Sequence, residues 1–205
     1  MNVSEKLGVA VVGLGVRQQH WRTYLRLKEC SVRWIFDQDT TKAKSTIQDL
    51  DGCQNAACLE DILCDRSVDI VSIASYDADH YEQVLAALQS GKHVFVEKPL
   101  CRNLQELKAI KKAWSVNKGK LKLTSNLVLR AAPLYQWLKE KIQSGDLGEI
   151  YAFDGDYLYG RLDKITDGWR KTEKTHWLGD ASTFVGETIV IFWCDQFLYI
   201  ISYKV

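Results

Sequence analysis

Short apolar runs rich in β-branched residues alternate, over roughly the first 125 residues, with stretches whose apolar positions recur every three or four. That is the rhythm of strand–helix–strand units around a parallel sheet. Val9–Gly13 (VAVVG) reads as the first strand. In the RQQHWRTYLRL that follows, Trp21, Tyr24 and Leu25 fall at helical spacing, and Ser31–Asp37 (SVRWIFD) returns to a strand pattern. Val68–Ser75 (VDIVSIAS) is apolar nearly throughout, as a strand covered on both faces must be. A helix is expected from about Asp79, with Tyr81, Val84, Leu85 and Leu88 as its stripe and Gly91 closing it. His93–Pro99 (HVFVEKP) gives another buried strand, Asn103 can cap a helix running to about Asn117, and Leu121–Asn126 (LKLTSN) a sixth strand. The predicted fold class is α/β, with a doubly wound parallel sheet.

The pattern changes near Asn126. Pro133–Ser144 reads as one amphipathic helix, and the remainder is aromatic and strand-like, with EIYAFDGDYLYG alternating as a half-exposed strand does. The expected organisation is one domain over residues 1–125 and a second, incomplete α/β domain with an open sheet over 126–205. The most apolar stretch, Ile189 to Tyr203, is interrupted by Asp195 and Gln196 and is shorter than the roughly 20 apolar residues that span a bilayer. Buried strands are the expectation there.

Composition narrows the partners. With 27 Lys and Arg against 26 Asp and Glu, the net charge of +1 supplies no field to draw in nucleic acid or an anionic membrane. A ligand must be recognised at a local site. The cysteines at 30, 53, 58, 64, 101 and 194 form no CxxC pair, and the four histidines complete no zinc-ligand spacing. No metal site is expected. The N-terminal segment is unlike a secretory signal, so free thiols point to a reducing cytoplasm.

The candidate chemistry begins at Gly13-Leu14-Gly15, directly after a strand and directly before a helix. In that context the first glycine permits a tight turn, the second lets the backbone approach a pyrophosphate, and the helix beginning near Val16 offers its positive end. Gln18 occupies the third position, where glycine or alanine packs best. Asp37 ends the second strand near the spacing of about 20 residues expected for an acid on the adenosine ribose, where a carboxylate favours NAD and repels the 2′-phosphate of NADP. Ser75 ends the Val68–Ser75 strand on the same edge. Taken alone the glycines make a turn and Asp37 a loop cap. Taken in order, strand, turn, helix, strand and acid describe a dinucleotide-binding Rossmann domain.

Glu97-Lys98-Pro99 follows its strand at the carboxyl edge of the sheet, where open α/β folds bind ligands. Together, VAVVGLG, Asp37, His80 before a helix, SGKHVFVEKPL (Ser90 to Leu100) and SGDLGEI (Ser144 to Ile150) resemble the Gfo/Idh/MocA family of NAD(P)-dependent sugar and polyol dehydrogenases. The resemblance spans about residues 8 to 170. It implies that Lys98 is catalytic or orients the substrate and lies near both nicotinamide and substrate, with Glu97 beside it and a cis bond before Pro99. It places His80 near the cofactor, with a surface cap for the following helix as the second reading. It also places Arg130, Trp169 and Arg170 at the substrate.

The resemblance fades after about Thr175, and no histidine follows His176 to stand for the family's catalytic histidine. The expectation is a chain cut short in its C-terminal domain, or a short form that forms a homo-oligomer through its C-terminal sheet. The expected function is hydride transfer between NAD, with NADP the weaker candidate, and a hydroxyl of a sugar, cyclic polyol or nucleotide sugar. A nucleotide-binding protein without turnover is the alternative.

Overall fold

The computed structural model describes residues 6–15, 19–117 and 119–152. It divides into two compact units, Met1–Asn126 and Leu127–Val205. In the first unit, β1 (Leu7–Val12), β2 (Cys30–Phe36), β3 (Gln54–Asn55), β4 (Ile70–Ile73), β5 (His93–Val96) and β6 (Leu123–Ser125) form one sheet in the order β3-β2-β1-β4-β5-β6. Every pairing is parallel. Between them run α1 (Gln19–Arg26), α2 (Thr40–Ile47), α3 (Leu59–Cys64), α4 (His80–Gln89) and α5 (Leu104–Val116).

The apolar run of β1 explains its central place. Ala10 and Val12 pack on one face with Val71, Ile73, Val84 and Val96, while Val9 and Val11 pack on the other with Trp21 and Ile35. A strand whose side chains are buried alternately on both faces has no polar side to expose. Local signals set the helix ends. Asn103 accepts the Glu106 N–H as the α5 cap, and Asp39 accepts the Thr41 and Lys42 amides at the start of α2. Along α1, Trp21 is buried but Leu25 is 53% exposed, so the helix presents a narrower apolar face than its spacing predicts.

Lys92, inside the SGKHVFVEKPL block, is buried at the other end of β5. Its ammonium donates to the carbonyls of Asp65 at 2.6 Å and Val68 at 2.8 Å, so it braces the loop entering β4. In the second unit a 3-10 turn (Val128–Ala131) leads into α6 (Pro133–Gln143), with Pro133 in the first helical turn where its missing N–H costs no bond. The strand expected from Glu149 lies almost entirely outside the described residues, as does Ile189 to Tyr203. Among the described residues no helix is long and apolar enough to cross a membrane.

Candidate nucleotide and active site

The strand order reverses between β1 and β4, and in sheets of this kind ligands bind at the carboxyl ends of the strands flanking that reversal. That edge collects Gly13-Leu14-Gly15 after β1, Asp37 after β2, Ser75 after β4, Glu97-Lys98-Pro99 after β5 and Asn126 after β6.

The two glycines do different work. Gly13 has φ +88°, and a Cβ there would lie 2.5 Å from the Ala74 carbonyl oxygen and the Ser75 nitrogen. Backbone conformation and packing against the end of β4 both require glycine. Gly15 has neither constraint, since among the described residues a Cβ would meet only the Ala74 oxygen, at 3.9 Å, and the residue is exposed. Among the described residues nothing else crowds its bare side, which is what close approach of a pyrophosphate needs. Asp37 ties the turn to the acid, because its Oδ2 accepts the Leu14 N–H at 2.6 Å while Oδ1 accepts the Asp39 N–H at 2.8 Å. A carboxylate has about four acceptor sites, so these two bonds leave capacity for ribose hydroxyls. Val16 and Gln18 lie outside the described residues.

Around Glu97 the structure assembles a cluster that no local pattern announces. His20, in the first turn of α1, places Nε2 3.1 Å from Glu97 Oε1 and Nδ1 2.8 Å from the Ser72 hydroxyl on β4. The Asn126 side-chain amide donates to the same Glu97 oxygen at 2.8 Å, and the Lys98 N–H reaches Oε2 at 3.3 Å. Burial pushes the Glu97 carboxyl up, but the His20 and Asn126 hydrogen bonds, the field of His20 and the Lys98 amide outweigh it. The net result lies below the ordinary glutamate value. Glu97 is therefore a carboxylate fixed by three donors. The Tyr24 hydroxyl also bonds Ser72, and burial, partly offset by that bond, pushes its proton affinity up.

Lys98 is half-buried at this edge and the bond to Pro99 is cis, as expected. His80 is fully buried, which removes the surface-cap reading. Its Nδ1 lies 2.7 Å from the Pro99 carbonyl oxygen, an acceptor only, so this nitrogen carries the hydrogen and pins the turn from the α4 side. Its Nε2 is buried and has no hydrogen-bond partner among the described residues. Ser75 donates its hydroxyl to Gln83 Oε1 at 2.6 Å. Arg130 lies in the 3-10 turn of the second unit, and Trp169 and Arg170 lie outside the described residues.

A parallel sheet in this order, with a glycine turn closing β1 and an acid closing β2, defines a dinucleotide-binding Rossmann domain. The chain belongs to the Gfo/Idh/MocA family, described as an oxidoreductase family with an NAD-binding Rossmann fold, whose sequence pattern matches residues 7–124. It is 31% identical over 146 residues to inositol 2-dehydrogenase 1 of Mycolicibacterium vanbaalenii, covering 70% of this chain and 42% of that protein. It is 26% identical over 170 residues to scyllo-inositol 2-dehydrogenase (NADP(+)) of Bacillus subtilis, covering 83% of this chain and 46% of that one. The fold matches scyllo-inositol dehydrogenase from Lactobacillus casei, crystallised with NAD(H) and scyllo-inositol, with a TM-score of 0.65 at 21% identity over 71% of this chain and 43% of that chain. The chain thus spans less than half the length of these relatives.

Proposed function

We propose that the first unit holds NAD at the carboxyl edge of its sheet, and that the whole protein moves a hydride between NAD and a hydroxyl of a cyclic polyol or sugar. The observation that carries this reading is the placement of the Lys98 turn and the glycine turn at the ends of β5 and β1 on one sheet edge. Inositol dehydrogenases among the relatives favour a cyclic polyol, with a nucleotide sugar as the next candidate.

In this reading Gly13 shapes the turn and Gly15 leaves room for the pyrophosphate, with Val16 beside it in the sequence and the positive end of α1 (Gln19–Arg26) meeting its charge. Asp37 accepts from the adenosine ribose and repels a 2′-phosphate, which favours NAD over NADP. Ser75 borders the cofactor edge. NAD, when bound, supplies the two-electron hydride acceptor. Lys98 orients the substrate hydroxyl, takes or relays its proton, and stabilises the oxygen as the carbon–hydrogen bond is lost. Arg130, Trp169 and Arg170 bind substrate from a substrate-binding and oligomerisation domain, and that domain pairs copies of the chain into a homo-oligomer.

A turnover screen with NAD⁺ and NADP⁺ across inositols, aldoses and nucleotide sugars tests this, with Lys98→Ala as the control. Oxidation of a polyol that falls at least a hundredfold in Lys98→Ala is expected. Equal activity in the variant would remove Lys98 from the chemistry. Saturable NADH binding without turnover of any substrate would favour a nucleotide-binding protein lacking catalysis.

A further inference from the structure

His20 joins the two halves of the candidate site. It sits in the first turn of the helix that follows the glycine turn, yet its ring reaches across the sheet edge to Glu97, the residue before Lys98. The ring is 8% exposed, and it packs at 5.5 Å between centroids on Phe95, the β5 side chain on the same face. A carboxylate only accepts, so Nε2 carries the hydrogen toward Glu97. The Ser72 hydroxyl can donate to a bare Nδ1 or accept from a protonated one, so either state of the ring keeps the bridge. Glu97 in turn accepts the Lys98 backbone N–H through its other oxygen. Helix α1, strand β4 and the Lys98 turn are thereby linked through one imidazole.

We propose that His20 is the positioning residue of the Lys98 turn, acting through Glu97 to hold the lysine backbone in register with the nucleotide-binding helix. This rests on the reading of Lys98 as catalytic for its kinetic consequence, but the geometry makes its own prediction about Lys98. With Ser72 behind it and Asn126 sharing the load on Glu97 Oε1, His20 is the only donor to Glu97 carried by α1 among the described residues. Losing it frees Glu97 on the side of the nucleotide helix. The Lys98 amide then loses the fixed acceptor that defines where the side chain starts, and a displacement of about 1 Å at a reacting group costs on the order of a hundredfold in rate.

His20→Phe keeps a ring against Phe95 and removes both hydrogen bonds, whereas His20→Gln retains a side-chain N–H able to reach Glu97. The full chain of each variant is compared in three measurements: NADH affinity by nicotinamide fluorescence, kcat and KM for a polyol, and the rate at which acetic anhydride labels Lys98 in the absence of cofactor, followed by mass spectrometry. His20→Phe is expected to lower kcat about tenfold to a hundredfold, shift NADH Kd less than about threefold, and speed Lys98 labelling about threefold or more as the turn loosens. His20→Gln is expected to restore most of both.

Unchanged Lys98 labelling in a folded His20→Phe overturns the proposal, as does a rise in NADH Kd that equals the whole loss in kcat/KM. If the unaltered chain turns over no polyol but labelling still responds to His20→Phe and recovers in His20→Gln, the positioning role stands and the dehydrogenase reading fails. Where His20→Phe does not fold, Ser72→Ala withdraws the support behind Nδ1 and must give the same labelling change; its absence overturns the proposal equally.

Discussion

Leu14 donates its backbone N–H to Asp37 Oδ2 at 2.6 Å, so the acid that follows β2 also holds the glycine turn that follows β1. Asp37→Ala removes the acceptor for two backbone amides as well as the group expected on the ribose. Hydrogen bonds to charged groups are worth roughly 1.5–3 kcal/mol, so urea unfolding should report a loss of about that size. NADH titration should report binding weaker by about tenfold or more. Asp37→Asn keeps an oxygen for Leu14 but drops the charge, so it should lose less stability while narrowing the preference for NADH over NADPH. An undiminished preference in Asp37→Asn would mean that another group chooses the cofactor.

Gly13→Ala should be destabilising before any ligand is added. Its Cβ would sit 2.5 Å from the backbone of Ala74 and Ser75, in a conformation with φ +88°. Strained backbone and overpacking each cost about 1–3 kcal/mol, and here both arise at one atom. Urea unfolding of the ligand-free protein measures this directly, and a midpoint equal to that of the unaltered chain would contradict the packing described for the turn.

Glu97 gives a pH dependence with a defined sign. Its carboxyl lies below the ordinary glutamate value because hydrogen bonds from His20 and Asn126 outweigh the burial that pushes it up. A group whose proton affinity is lowered by folding contributes stability that is fully present above its unfolded value, near 4.3, and lost as pH falls through the lower folded value. Glu97→Gln, which can still accept from His20, has no charge to lose. The stability gap between the two proteins should therefore be larger at neutral pH than near pH 3, read from urea midpoints. A gap constant across that range would mean that Glu97 draws nothing from its donors as a charge.

Much of this architecture is legible in the sequence because the signals are local. The both-sides-apolar run of Val9–Val12, the cap at Asn103 and the acid at Asp37 each lie within a few residues of the feature they create. The region from Asp39 to Cys64 is harder, since a two-residue strand and helices of eight and six residues are too short for a period to emerge. His20 is harder still. Inside RQQHWRTYLRL it reads as one polar position of an amphipathic helix, and its partner Glu97 is 77 positions away. Asn126 likewise reads as the end of a strand, although its amide completes the Glu97 cluster. Conversely, Lys92 belongs to the most recognisable block of the chain, yet it supports the loop entering β4 at the opposite end of the sheet from the glycine turn.

The open side of Gly15 is the proposed pyrophosphate seat of a nicotinamide dinucleotide. Gly15→Val places a branched side chain in that space, while the described residues offer only the Ala74 oxygen at 3.9 Å as a contact for the new Cβ. NADH fluorescence titration of the two chains, with their urea midpoints measured alongside, is the most direct test. A pyrophosphate seat at Gly15 requires saturable binding by the unaltered chain, a loss of at least about a hundredfold in affinity in Gly15→Val, and midpoints that agree within about 1 kcal/mol. No saturable binding by the unaltered chain, or equal binding by a folded Gly15→Val, would contradict it.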